Sequence, residues 1–202
     1  GSEVWKLDGM ALVSVSAPPL RAMRTRSLIR RDPTDHWVIT IGKRAATGLI
    51  SEGDQTLVPA GVPFVLSLGD FSANQRDLDD RIQLNISRDR FGAIASALDA
   101  ARGRPVSTAL GGMLSEYIRL LERQLPGLTE EDARSLPEAV AAMARGALDL
   151  PVRAAEGHRR HDPVVPRHVG PARRPMTLRA LRAELQSIAI VLPPLPVAVI
   201  AG

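Results

Sequence analysis

Between Ala11 and Ser87, apolar and β-branched residues come in short runs, and most runs are closed by a turn signal. ALVSVSA, the pair MRTR and LIRR, WVITIG, TGLIS, QTLVP, PFVLSL and RIQLNIS all read as strands. The segments Asp32 to Asp35, Glu52 to Asp54, Pro59 to Gly61 and Gly69-Asp70 carry the Gly, Pro and Asp residues that turns require. One strand per roughly ten residues, with no helical crossover between strands, predicts an antiparallel sandwich or barrel.

After Ser87 the period lengthens. RDRFGAIASALDAARG places Phe91, Ile94, Ala95 and Leu98 at helical spacing and stops at Gly103. In LGGMLSEYIRLLERQLPG, Leu110, Met113, Leu114, Tyr117, Ile118, Leu121 and Leu125 form an apolar stripe, while Glu116, Arg119, Glu122 and Arg123 line the other side. Pro126-Gly127 ends that helix. Thr129, followed by Glu130, Glu131 and Asp132, supplies an N-cap and an acidic first turn for the next one. Its apolar positions run from Leu136 through Val140, Met143, Ala144 and Ala147 to Leu148, and Pro137 either kinks it or stands in the first turn of a restarted helix. The expected fold class is therefore α+β, an antiparallel β structure followed by an antiparallel helical hairpin. Residues 3–150 form the main domain, with Gly1-Ser2 set aside as an appended scar. Residues 151–176 are a Pro/Arg-rich linker, and 177–202 are a short helix and tail.

Composition narrows the function. At 202 residues with 45% hydrophobic content, the chain can fill a core without staples. The absence of cysteine excludes disulfides, thiolate metal sites and cysteine nucleophiles, and it fits a reducing cytoplasm. The net charge of +4 comes from the tail, because residues 1–150 hold 18 Lys and Arg against 19 Asp and Glu. A neutral body in a chain with 3% aromatic residues is a poor grip for phosphates or bases. The apolar run from Ile188 is broken by Pro193, Pro194 and Pro196, which argues against a membrane anchor.

No nucleophile elbow, phosphate loop or dinucleotide fingerprint occurs. His36 is the single histidine before His158, and an open catalytic metal site needs two or three imidazoles, so no metal or other cofactor is expected. His158, His161 and His168 lie in the proline-rich tail. His36 and Trp37 form a candidate ligand-contacting pair, and Arg24 with Arg26 shares a strand face that can bind an anion or simply be solvated. Asp77, Asp79 and Asp80, interleaved with arginines in RDLDDR, read as a surface turn.

The glycine, proline and glycine at Gly53, Pro59 and Gly61 resemble the second motif of metal-binding cupin barrels, but Phe64 stands where that motif places its histidine. Further matching text extends from about residue 8 to 150. It comprises DGMALVSVSAPPLRAMRTRSLIRRDPTDHWVITI with its Arg24-Thr25 and Asp32-to-Asp35 turn, LVPAGVPFVLSL, LDDRIQLNISRDRF, and GGMLSEYIRLLERQLPGLTEEDARSL. Together these segments resemble the N-terminal sensor domain of AraC/XylS-type transcription regulators, although Ala60-Gly61-Val62 departs from that family's hairpin. The resemblance implies a cupin-like barrel or jelly roll that binds a small effector, with Arg24, His36, Trp37 and Phe64 as candidate ligand contacts. It also implies a homodimer seamed by Leu110, Leu114, Tyr117 and Leu121. DNA would be reached only through a helix-turn-helix domain, and no pattern for one follows residue 150. The competing readings are a metal-dependent cupin enzyme, such as an isomerase or dioxygenase, and an interaction module that binds no ligand.

Overall fold

A computed structural model of the protein describes residues 1–51 and 54–149, so Gly53 and the expected linker, helix and tail after residue 150 lie outside the described residues. The strands are β1 (Ser2–Leu7), β2 (Met10–Ala17), β3 (Leu20–Arg24), β4 (His36–Gly42), β5 (Thr47–Ser51), β6 (Asp54–Val58), β7 (Pro63–Ser67), β8 (Ser72–Arg76) and β9 (Asp79–Ser87). The helices are α1 (Arg26–Arg31), α2 (Ala95–Ala100), α3 (Ala109–Gln124) and α4 (Glu130–Leu148).

Two antiparallel sheets result, one ordered β1-β2-β9-β4-β7 and the other β3-β8-β5-β6. Only the β1–β2 and β5–β6 hairpins stay within a sheet. Every other strand-to-strand connection crosses between sheets, which makes the architecture a jelly roll rather than a closed barrel. Val38 and Phe64 of the larger sheet pack with Leu49 and Val58 of the smaller, so the two inner faces meet.

Alternation along the strands decides which side chains go where. In β9, Ile82, Leu84 and Ile86 point outward from the sandwich, together with Leu12 of β2 and Trp37, Ile39 and Ile41 of β4. Helices α2, α3 and α4 cover this outer face and supply Leu98, Leu114, Ile118, Leu121, Val140 and Ala144 to the main core. The apolar mass therefore sits between the larger sheet and the helices. The interior between the sheets holds a smaller apolar cluster of Val38, Leu49, Val58, Phe64 and Leu66.

Local chemistry explains the joints. Gly61 adopts φ 79° in the β6–β7 turn, where the Val62 amide donates to Pro59 O, so the sequence pattern Pro59 to Gly61 is a turn requirement. The outer edge of β7 is capped by the segment after α2: Gly103, at φ 70°, donates its amide to Val65 O, and Val106 donates to Pro63 O. Thr129 and Asp132 form a reciprocal capping box at the start of α4. That helix runs without a restart through Pro137, which is buried.

Three expectations are corrected. LIRR lies in α1, because the Thr25 hydroxyl accepts a hydrogen bond from the Leu28 amide and starts a helical turn where a strand was expected. Ser2 belongs to β1, paired with Val15, so the leading residues are part of the fold. SANQR forms β8, a strand with no apolar alternation to announce it. The two sides of α3 should separate in a stability measurement. Leu114→Ala, at a fully buried position, is expected to lower the unfolding free energy in urea by about 2–5 kcal/mol, whereas Arg123→Ala, at an exposed position, should stay within about 0.5 kcal/mol.

A buried polar cluster at one end of the sandwich

The four expected ligand contacts are not brought together. Phe64 is fully buried in the interior apolar cluster, where hydrocarbon occupies the place an imidazole would need. Trp37 points to the opposite side of its sheet, into the helical core, and its indole N–H donates to Asp99 Oδ1 at 2.8 Å. Arg24 is engaged in closing the β3–β4 connection. Its Nε donates to Leu68 O at 2.8 Å, and its Nη atoms donate to Asp32 Oδ2 and to the Asp32 and Thr34 carbonyls. His36 opens β4, with its Nδ1 buried and without a hydrogen-bond partner.

Around Trp37, helix and sheet are bolted by charge. The Arg88 guanidinium lies 4.1 Å over the indole and pairs with Asp35 at 2.8 Å and Asp99 at 3.1 Å. Arg102 adds pairs to Asp70 and Asp99. Burial pushes the Asp99 carboxyl upward, but hydrogen bonds from Trp37 and Arg88 outweigh it and hold the group below its ordinary range.

The segment RDLDDR, expected as a surface turn, instead forms a buried charged cluster. Asp79 and Asp80 are buried, as are Arg76 and Arg81. Asp79 is in close ionic contact with Arg81 and lies 3.7 Å from Arg76 Nη1, which also donates to Asn74 Oδ1 at 2.7 Å. Arg81 Nε donates to Gln83 Oε1 at 2.8 Å. The register explains the convergence. Thr47, Leu49, Asn74 and Arg76 share the inner face of the smaller sheet, because Thr47 pairs with Arg76 and Leu49 with Asn74. Thr40, Arg81 and Gln83 share the inner face of the larger sheet. Arg76 Nε and Thr47 Oγ1 are buried and have no hydrogen-bond partner. Burial pushes the Arg76 guanidinium down to about 10, with repulsion from Arg81 adding to the shift and Asp79 opposing it.

A second layer joins this end of the sandwich to the helices. Asp80 takes Lys43 Nζ at 3.2 Å and Arg44, and the same Lys43 Nζ donates to Glu122 Oε1 of α3 at 2.9 Å. Burial pulls the Lys43 ammonium down, but Glu122 and Asp80 outweigh it and hold it above its usual value. Arg119 of α3 donates to Lys43 O at 3.3 Å.

The expected seam residues divide. Leu114 and Leu121 lie in the chain's own core, and Tyr117 packs partly against it, whereas Leu110 is exposed together with Met113 and Leu120. A separate groove of about 370 Å³ lies on the outer face of the smaller sheet, lined by Gly48, Ile50, Leu57 and Ala73 among others. The loop residues Ala45, Ala46 and Asp77 rim it, and it is half open to solvent. Among the described residues, no group of three or more His, Cys, Asp or Glu side chains is placed to hold a metal ion, and no helix is long and apolar enough to cross a membrane.

The alternation of Arg81, Gln83 and Asn85 along RIQLNIS places them on one face of the strand but does not show that this face is covered. Two outcomes test the electrostatics. Burial and repulsion from Arg81 both disfavour the Arg76 charge where it stands, so Arg76→Gln should leave unfolding free energy unchanged or raise it by about 1–2 kcal/mol. Arg81→Gln deprives Asp79 of its close partner and should cost about 3–5 kcal/mol in the same urea titration. Asp99 has a depressed folded-state value, so its stabilising contribution is present above the unfolded carboxylate value near 3.8 and is lost as pH falls through the folded one. In Asp99→Asn the acid limb of a stability–pH curve should accordingly be shallower.

No family model matches the sequence, and no curated protein matches it. Among solved structures, the fold is shared with the AraC-like transcriptional activator CuxR, at TM-score 0.68 and 21% identity over 76% of this chain. The chain spans 57% of that activator's length. An RmlC-like cupin protein from Desulfovibrio desulfuricans also aligns, over 43% of this chain and 80% of its own, at 9% identity and TM-score 0.33.

Proposed function

With the fold of an AraC-like activator as premise, we propose that this chain is the effector-sensing and dimerisation module of a cytoplasmic transcription regulator, with no catalytic role of its own. Contact with DNA belongs to a separate helix-turn-helix domain.

The observation that carries this reading is the double engagement of α3. One side of the helix presents Leu110, Met113 and Leu120 to solvent at 50%, 57% and 43% exposure. The other side packs Leu114, Ile118 and Leu121 on the larger sheet. Exposed apolar residues at positions i, i+3 and i+10 make a stripe of the kind that pairs helices between subunits. In this arrangement the dimer seam is Leu110, Met113 and Leu120 with the partly covered Tyr117, rotated around the helix from Leu114 and Leu121.

Coupling follows from the same helix. Glu122 and Arg119 grip Lys43, and Lys43 grips Asp80, which adjoins the buried Arg81 and Asp79. An effector that displaces the polar end of the sandwich interior would pull on Lys43 and hence on α3. A ligand shifts such an equilibrium only by its differential affinity for the two positions of the helix.

The solution mass of the full chain tests the seam. Wild type should run as a dimer in light scattering, and Leu110→Ser with Met113→Ser should give a folded monomer; a monomeric wild type would refute the assignment. A thermal-shift screen of the full chain against a metabolite library tests sensing, with at least one compound expected to raise Tm.

A further inference from the structure

We propose that the polar end of the sandwich interior binds a small monocarboxylate, whose carboxylate is held by the Arg76 guanidinium and the Thr47 hydroxyl. The inference rests on the sensor reading and names the class of its ligand.

Three observations converge. Arg76 and Thr47 are partners on adjacent strands, and both point between the sheets. Their residues are 4% and 1% exposed, and Arg76 Nε and Thr47 Oγ1 have no hydrogen-bond partner. Two unspent donors side by side on one buried wall match a carboxylate, which only accepts hydrogen bonds.

The charge balance sets the valence. Among the described residues Asp79 is the carboxylate that Arg76 and Arg81 face within the cluster, and it is in closer contact with Arg81, which leaves one positive charge uncompensated at Arg76. Asp80 is taken by Lys43 and Arg44. One negative charge completes the set, whereas a phosphate dianion would over-fill it and face Asp79. A buried cation without a full partner is costly, and a site that keeps one is arranged for something other than stability.

The surroundings set the body of the ligand. Thr47 pairs with Val58 across the β5–β6 hairpin, Leu49 follows on the same face of β5, and Phe64 closes the cluster from the other sheet. On the Thr47 side a carboxylate at Arg76 has the hydrocarbon of Val58 and Leu49 beside it, with Asn74 and Asp79 on the other side, which suits a short acid whose aliphatic part lies toward Val58.

The experiment measures Tm of the full chain with sodium acetate, propionate and butyrate against sodium chloride at matched ionic strength, the corresponding alcohols, and inorganic phosphate. At saturation at least one carboxylate should raise Tm by about 5 °C or more over chloride, with alcohols and phosphate inert. Arg76→Gln should weaken the response at least about tenfold, and Thr47→Val by a smaller factor. Circular dichroism checks that both variants are folded. The proposal fails if no carboxylate exceeds chloride, if phosphate stabilises equally, or if both variants respond as wild type does. A neutral library compound that stabilises wild type and Arg76→Gln alike would overturn this inference and leave the sensor reading standing. Absence of any stabilising compound would overturn both.

Discussion

Strand β9 is hydrogen-bonded along both edges, to β2 and to β4, and covered on both faces, by helices on one side and by the smaller sheet on the other. Its strict alternation fixes the register of its neighbours, since a slip of one residue would send Ile82, Leu84 and Ile86 into the polar interior and Arg81, Gln83 and Asn85 into the helical core. The division of the molecule into an apolar layer and a partly polar lumen follows from that one strand. So does the position of the buried arginines.

Much of this organisation is legible in the chain. Short strands from turn spacing, the hairpin of α3 and α4 from apolar periodicity, and the Thr129 cap from its acidic follow-up all depend on local patterns that tertiary context reinforces. What is not legible depends on the second sheet. Polar residues at alternate positions of an antiparallel strand ordinarily face water, so Asp79 and Arg81 read as surface, and only the cover from β8 and β5 makes them interior. Strand β8 is nearly silent because SANQR owes its burial to position in the sandwich rather than to hydrophobicity. At α1, a capping threonine turns the short apolar pair Leu28-Ile29 into a helical turn where a strand was expected.

The candidate site shows the same limit. Arg24, Trp37 and Phe64 have the right chemistry for ligand contact, but each is committed elsewhere, to a loop, to the helical core and to the apolar cluster. Arg76 and Thr47 lie far apart in sequence and become neighbours through strand pairing alone. On α3, a single apolar stripe wider than one interface needs is split by the packing angle, so part of it anchors the helix and part is left facing outward.

The covering of β7 by the Gly103–Val106 segment has one more implication. With the Pro63 and Val65 carbonyls already occupied, that margin offers no free acceptors there to an incoming chain, so molecules are steered away from joining backbone to backbone along it. The larger sheet is thereby kept from growing on its β7 side, its last rung completed by the chain's own backbone.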